Sequence, residues 1–231
     1  MRCNRNSLCN LKKPRLFLPA AGGIILAAAL FLLGSCASTD YTAFRESRPR
    51  SILVMPPINQ SMDIHAQAAF LAASTIPIAE SGFYVIPAGL STEMFKQNGM
   101  GVAEDAQAVP IEKLREIYGA DAALYMTVTE FGPKFIGIAS NVTAAADAKL
   151  IDLKTGAEIW KGRVSVTLEE QAKVSGGGLL SLLVSATVNQ VINTLQDRSM
   201  EAAQAATNKM LPAGTGTGFL YGPYHPKYGT D

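Results

Sequence analysis

Apolar residues follow two spacings along the first part of the chain, and their alternation predicts strands and helices in turn. The apolar run that begins at Ser51 predicts a buried strand, and the run GFYVI that begins at Gly82 predicts a second one. Apolar side chains three and four residues apart over residues 63–81 predict a helix that Pro77 bends or ends. Two further helices are predicted at residues 90–99 and 109–121. An order of strand, helix, strand, helix, helix favours an α/β layer.

Alternation of apolar and polar residues predicts three longer strands in the second half of the chain. These strands occupy residues 121–131, 141–153 and 158–170. The turn KTGA, in which Gly156 can take a positive φ, joins the last two strands as a hairpin. An apolar stripe at helical spacing over residues 179–210 predicts a long C-terminal helix. We therefore predict an α/β fold of α+β type, with helices packed on a single mixed sheet of about five strands.

The N-terminus has the charge order of a secretory signal. Its first fifteen residues include five basic side chains and no acidic one, and the uncharged apolar run of residues 16–33 follows. This run of about 18 residues also reaches the lower limit for a membrane-spanning helix, which leaves a permanent anchor as the alternative. The sequence Leu33-Gly34-Ser35-Cys36 favours cleavage, because it resembles the lipobox of bacterial lipoproteins. That resemblance implies a diacylglycerol thioether on Cys36, cleavage in front of it and an N-acyl lipid.

Cleavage before Cys36 changes the charge of the chain. It leaves 196 residues, in which 15 lysines and arginines face 19 acidic residues, so the formal net charge moves from +1 to −4. A basic stripe of the kind that binds nucleic acid is therefore absent, and we expect no nucleic-acid partner. Cys3 and Cys9 leave with the signal, so the mature chain cannot form an internal disulfide. The lipid is expected to anchor the protein to a membrane that the chain does not span.

Composition divides the chain into four parts. We assign residues 1–35 to a lipoprotein signal peptide, 36–50 to a polar lipid-anchored tether, 51–211 to one α/β periplasmic domain and 212–231 to a flexible tail rich in Gly, Tyr and Pro. An aspartate after the lipidated cysteine is the usual retention signal for the inner membrane, so Ala37 favours the outer membrane, with the domain facing the periplasm. In the tail, Tyr221, Tyr224 and Tyr228 are either candidate contacts for a partner or part of a tail that docks on its own domain.

The sequence offers no recognised set of catalytic or metal-binding residues. Its histidines, His65 and His225, lack the spacing of metal ligands. The segment SGGGLLS at residues 175–181 lacks the lysine of a phosphate loop and is better interpreted as a hinge. Trp160 is expected in the core, since it shares the apolar face of its strand. We therefore predict no catalytic residue, no metal and no cofactor other than the covalent lipid on Cys36.

Three segments carry a family resemblance: STIPIAESGFYVIPAGLSTEMFKQNG, YGADAALYMTVTEFG and AKLIDLKTGAEIW. Together they resemble a family of periplasmic lipoproteins known as domain of unknown function 799. The likeness covers roughly residues 51–211 and leaves out the tail. More distantly, the hairpin and the strands before it are similar to the N-terminal domain of the Tol translocation protein, to the curli secretion lipoprotein and to outer-membrane activators of cell-wall synthases. These resemblances imply a tethered α/β domain that works by contacting other envelope proteins.

The resemblances also imply a class of function. We expect a non-enzymatic outer-membrane lipoprotein that serves as an assembly or accessory subunit of an envelope complex for secretion or a surface structure. Other envelope lipoproteins are its expected partners, and the apolar surface of the long helix leaves self-association open. The alternative is a lipoprotein that binds and activates a cell-wall synthase, although a tether of about 13 residues reaches only some 45 Å. An enzyme with an unfamiliar site is the least favoured hypothesis, because no acid, base or metal set converges.

Overall fold

A mixed β-sheet forms the centre of the protein. The computed structural model describes residues 39–136, 139–169 and 188–231, with side chains described for residues 39–134, 141–168 and 198–231. Its strands are β1 (Ser51–Val54), β2 (Ile58–Asn59), β3 (Tyr84–Val85), β4 (Ala122–Ile136), β5 (Ala139–Asp152) and β6 (Glu158–Glu169). These six strands form one sheet in the order β3-β1-β4-β5-β6, with the short β2 paired to β4. The predicted single mixed sheet is confirmed.

Strand direction follows the connections between the strands. β1 lies parallel to β3 and to β4, whereas β4, β5 and β6 are antiparallel neighbours. The predicted turn between β5 and β6 is confirmed: Gly156 adopts a φ of 75°, and its N–H donates a 2.8 Å hydrogen bond to the carbonyl of Asp152. The carboxylate of Asp152 accepts further bonds from the N–H groups of Lys154 at 2.7 Å and Thr155 at 2.8 Å.

Helices cover the sheet on both faces. They are α1 (Thr42–Ser47), α2 (Ala66–Glu80), α3 (Ala88–Gln97), α4 (Ala103–Gln107), α5 (Ile111–Tyr118) and α6 (Val188–Met210). On one face α2 and α6 pack against each other, and α6 also packs on β4, β5 and β6. On the other face, Phe95 of α3, Ala106 of α4 and Leu114 of α5 join Leu53 of β1 in a second buried cluster. The expected arrangement of helices packed on a sheet is thereby confirmed.

The C-terminal helix α6 begins at Val188 and ends at Met210. The first part of the helix that the sequence predicts, residues 179–187, lies outside the described residues. Within the described parts of the chain, none of the helices combines the length and the apolar character needed to cross a bilayer.

Small side chains allow α6 to lie close to the sheet. Ala144 and Ala146 of β5 are buried in the same cluster as Ala202 and Ala206 of α6. Alternate residues of β5 thus face the helix, as the period-two pattern predicts. Alanine at these positions leaves little volume between the helix and the sheet, so the packed layers keep a dense core.

The folded body begins earlier than the sequence predicts. Residues 36–50 were expected to form a tether, but the compact unit runs from Thr39 to Asp231 and includes α1. Phe44 of α1 is buried, with its ring centroid 6.1 Å from that of Phe83 and 5.9 Å from that of Phe219. The polar composition around Phe44 concealed this burial, because a single aromatic residue in a short helix gives no periodic signal.

The C-terminal segment, residues 212–231, is also packed on the domain, and the expectation of a flexible tail is corrected. It contains no helix or strand, but Phe219 and Leu220 are buried in the main core. Hydrogen bonds outside the β-sheet hold its backbone. The N–H of Gly222 donates to the carbonyl of Ser81 at 2.8 Å, and the N–H of Tyr224 donates to the carbonyl of Gly82 at 3.1 Å. The tail docks on its own domain, which is one of the two alternatives that its tyrosines left open.

Candidate interaction surfaces

The predicted lipidation site lies outside the described residues. Cys36 and the preceding Leu33, Gly34 and Ser35 therefore remain a prediction. The compact unit begins at Thr39, only three positions after Cys36.

The two ends of the described chain lie side by side. The hydroxyl of Tyr41 donates a 2.6 Å hydrogen bond to the carbonyl of Gly218. Burial raises the pKa of Tyr41 above its ordinary value, which keeps the hydroxyl a donor even in alkaline solution. This bond and the packing of Phe44 on Phe219 join α1 to the C-terminal segment.

A groove of about 430 Å³ separates α1 from the C-terminal segment; we call it the terminal groove. Its apolar walls include the buried side chains of Phe44 and Phe83. Its charged and aromatic lining includes Arg45, Arg48, Tyr221, Tyr228 and Asp231. A surface that combines guanidinium groups with aromatic rings and an apolar floor suits an anion that carries an apolar part.

The end of α1 positions the two arginines of the terminal groove. Arg48 follows the last residue of α1 with a φ of 44°, and its N–H donates a 3.0 Å hydrogen bond to the carbonyl of Phe44. The Nε of Arg48 donates to the carbonyl of Arg45 at 3.1 Å. The hydroxyl of Ser47 donates to the carboxylate of Asp152, which ties α1 to the β5–β6 turn.

Hydrogen bonds also set the ionisation of Asp152. Burial on its own would raise the pKa of this carboxyl group. The bonds that it accepts from Ser47, Thr155 and Lys154 outweigh burial and hold the pKa below its usual value. Asp152 is therefore ionised at neutral pH and fixes α1 as a charged acceptor.

The three tyrosines of the C-terminal segment occupy different environments. Tyr221 is half-buried, and its ring stacks on the His225 ring with centroids 4.3 Å apart. Its N–H donates to a carboxylate oxygen of Asp231 at 2.7 Å. Tyr224 is 67% exposed and Tyr228 is 45% exposed. Tyr221 and Tyr228 line the terminal groove, whereas Tyr224 faces solvent outside it.

A second apolar surface follows the edge of the sheet at β3; we call it the edge surface. It is a shallow depression lined by Ile76 and Ala79 of α2 together with Val85 and Pro87. Ile76 is 58% exposed. β3 stands at the end of the strand order, so one side of this strand has no neighbouring strand among the described residues. Exposed apolar side chains beside an unpaired strand are typical of an interaction site.

The histidines occupy separate local structures. His65 precedes the first residue of α2, and its N–H donates to the carboxylate of Asp63 at 2.8 Å. His225 stacks on Tyr221, and its Nδ1 accepts a 3.0 Å hydrogen bond from the N–H of Lys227. Among the residues that the structure describes, no three histidine, cysteine or acidic side chains are grouped as a metal site.

The remaining candidates from the sequence either have structural roles or lie outside the described residues. Trp160 is buried in the main cluster, as predicted. The glycine-rich residues 175–181 lie outside the described residues.

Sequence reasoning missed the arginines of the terminal groove. Arg45 and Arg48 fall in the segment that was assigned to a tether, and the groove forms only where that segment meets the other end of the chain. A local signal was the pair of aromatic residues Tyr41 and Phe44, which is unusual in a solvated linker.

Comparison with known proteins gives three findings. A family model described as "Putative lipoprotein GNA1162-like" matches residues 39–224. The chain is 42% identical over 205 residues to the "Putative lipoprotein NMB1124/NMB1162" of Neisseria meningitidis serogroup B (strain ATCC BAA-335 / MC58), which covers 87% of this chain and 94% of the relative. It is 46% identical to the crystal structure of lipoprotein GNA1162 from Neisseria meningitidis, with a TM-score of 0.51, covering 63% of this chain and 99% of that one.

The family match extends past the bounds of the resemblance seen in the sequence. It starts at residue 39, where the compact unit starts, and it includes most of the C-terminal segment up to residue 224. The predicted membership of a lipoprotein family is confirmed. The chain belongs to the GNA1162-like lipoprotein family.

Proposed function

We propose that the protein is a non-enzymatic lipoprotein of the cell envelope, anchored through Cys36 in the periplasmic leaflet of the outer membrane. We propose further that it acts as an assembly or accessory subunit of an envelope complex for secretion or a surface structure. Membership of a lipoprotein family supports the anchor. Because the folded domain starts at Thr39, an anchor at Cys36 would hold it directly at the membrane surface.

The edge surface is the observation that carries the proposed role. Ile76 is more than half exposed although it is a large apolar side chain. It lines the edge surface together with Val85 and Pro87. Leu90, in the first turn of α3, is 62% exposed. An apolar surface at an unpaired sheet edge offers a partner both side-chain burial and free backbone groups. Other envelope lipoproteins, or a second copy of this chain, are the proposed partners.

The alternative role as an activator of a cell-wall synthase needs a longer reach. Tyr41, the last residue before α1, lies five positions after Cys36, so five residue-to-residue steps join them. Fully extended, they span about 17 Å. The observed start of the domain therefore shortens the reach that the sequence suggested, and it favours a partner at the membrane surface.

Crosslinking in intact cells tests the proposed role. We compare the wild-type chain with Ile76→Glu, which places a charge in the edge surface, and with the matched control Ile117→Glu on α5, where the side chain is 53% exposed. Ile76→Glu should abolish the crosslinked and co-purified partner while the protein level stays unchanged, and Ile117→Glu should retain the partner. Equal capture by both variants would refute the edge surface as the contact.

A further inference from the structure

We propose that the terminal groove binds the phosphate of an anionic phospholipid headgroup and so seats the domain on the membrane. This inference rests on the proposed anchor at Cys36 for the choice of a lipid as ligand. Arg45 and Arg48 supply the positive charge, and the rings of Tyr221 and Tyr228 flank it. Arginine binds phosphate through several N–H donors in a fixed plane, which gives both charge and geometry.

The lack of an ion pair at Arg45 and Arg48 within the described side chains is the first evidence for the groove as an anion site. In the part of the chain with described side chains, ion pairs join Lys113 to Glu116, Lys134 to Glu130 and Arg163 to Asp147. Neither Arg45 nor Arg48 forms one there, although both are exposed. The Nε of Arg48 donates to the carbonyl of Arg45, but no described carboxylate forms an ion pair with either guanidinium group, so their charge is available to a ligand.

Backbone strain at Arg48 is the second observation. Among the described residues, Arg48 is the only one other than glycine with a positive φ. A glycine would adopt this conformation at the end of α1 without steric cost, whereas a side chain is disfavoured there. An arginine in place of glycine indicates that its side chain has a use beyond the fold, because strained residues concentrate at binding sites.

The place of the groove relative to the anchor indicates a lipid. The N–H of Arg45 donates a 2.9 Å hydrogen bond to the carbonyl of Tyr41, so Arg45 lies one helical turn beyond the residue that follows the short linker. With about 17 Å of extended chain between Cys36 and Tyr41, the groove remains within reach of the headgroups. Tyrosine rings suit such a position, since one end of the side chain is apolar and the other is polar.

Two arginines and one aspartate line the groove, so its lining carries a formal charge of +1, and the charged groups around it bring the wider sum to zero. Asp231 lines the groove, and its carboxylate accepts the N–H of Tyr221. Asp40 and Glu46 lie on or beside α1, and Lys227 adds a positive charge 5.8 Å above the Tyr221 ring. A phosphate diester with one negative charge fits this balance better than an ion with several charges.

Amide hydrogen exchange on the purified full-length protein in a neutral detergent tests the proposal. Short-chain phosphatidylglycerol, short-chain phosphatidylcholine and inorganic phosphate are compared at equal concentrations. Phosphatidylglycerol at ten times its dissociation constant should slow exchange about tenfold in residues 42–48 and 219–229. Equal protection by phosphatidylcholine would overturn the proposal. Equal protection by inorganic phosphate would show an anion site without lipid and would overturn the assignment to a headgroup.

Charge-matched variants separate groove binding from general electrostatics. Arg45→Gln with Arg48→Gln should weaken phosphatidylglycerol binding about 25-fold, at about fivefold for each arginine. The control Lys96→Gln with Arg115→Gln removes the same charge from exposed sites on α3 and α5 and should leave binding unchanged. Equal loss in both pairs would overturn the proposal.

Arg48→Gly keeps the test valid if the double variant folds poorly. Glycine relieves the positive φ, so the melting temperature should rise while binding falls about fivefold. Full binding by Arg48→Gly would exclude Arg48 from the site. Labelling of Cys36 with palmitate is a separate measurement, and its failure would remove the anchor without altering the exchange results.

Discussion

The rings of Trp160 and Phe219 pack edge to face, with centroids 4.7 Å apart and planes inclined by 89°. The indole N–H of Trp160 also donates a 3.0 Å hydrogen bond to the carbonyl of Thr217. A residue of the last strand thus holds the C-terminal segment by an aromatic contact and a polar one. Trp160 is the only tryptophan of the chain, and the only hydrogen-bond donor of its side chain is bonded to this segment.

Phe219→Ala should destabilise the domain strongly. The side chain is fully buried and touches the rings of Phe44, Phe83 and Trp160, so its removal leaves a cavity at the junction of the two chain ends. We expect a loss of about 3–5 kcal/mol in the free energy of unfolding, measured by urea denaturation. The control Tyr224→Ala removes an exposed ring and should change this value by less than about 0.5 kcal/mol. Similar losses in both variants would contradict the packing described.

Gly162→Ala should also destabilise, through crowding. A Cβ at this position would lie 2.5 Å from the Trp160 ring and 3.2 Å from Cγ of Met210. Overpacking of this kind costs about 1–3 kcal/mol, and the melting temperature should fall accordingly. Gly89→Ala is the opposite case, because α3 has open space at this glycine. Alanine there should leave the melting temperature unchanged or raise it.

The stability of the domain should depend on pH through Asp152. The pKa of this carboxyl group is lower in the folded protein than its ordinary value of 3.8. Its stabilising effect is therefore fully present above the ordinary value and is lost as the pH falls through the lower, folded value. The difference in free energy of unfolding between wild type and Asp152→Asn should be constant well above the ordinary value of 3.8 and should shrink as the pH falls below it. A difference that stays the same throughout would show that the carboxylate charge plays no part.

Cys36→Ala should abolish lipid attachment. Cells grown with radiolabelled palmitate should label the wild-type protein and leave the variant unlabelled. The uncleaved variant should also run larger on a gel by the mass of its signal peptide, because the peptidase acts next to a lipidated cysteine. Equal labelling of both proteins would remove Cys36 as the anchor.

Regular secondary structure was predictable because each element carries its own signal. Gly119 ends α5 with a φ of 63°, as glycine at a helix end predicts. The apolar alternation of β5 and the turn at Gly156 likewise depend on residues that are close in sequence. The fold class follows from the order of these local elements.

The extent of β4 was less predictable. Its sequence prediction ends at residue 131, but the strand continues to Ile136 and includes Pro133 opposite Val142. β1 pairs with β4 over residues 122–124 and β2 pairs with it over residues 127–128, so no described strand lies on that side of β4 near Pro133. A proline at this position therefore costs no hydrogen bond on that side. Whether a proline is tolerated depends on which strand lies beside it, and the local sequence does not show this.

The terminal groove could not be predicted from either end of the chain alone. Its arginines lie near residue 45 and its tyrosines beyond residue 220, and neither segment has an apolar period. Single aromatic residues, Phe44 and Phe219, bring them together. Contacts made by isolated residues over such a separation carry no pattern that sequence reasoning can detect.

The contact between Phe44 and Phe219 also sets the order in which the protein can fold. Phe219 lies 175 positions after Phe44, so the chain must be synthesised at least as far as Phe219 before the cluster around Phe44 can close. A chain cut short before Phe219 would expose Trp160 and Phe83 and would be open to proteolysis. The contact between Phe44 and Phe219 therefore forms only after every strand of the described sheet has been synthesised.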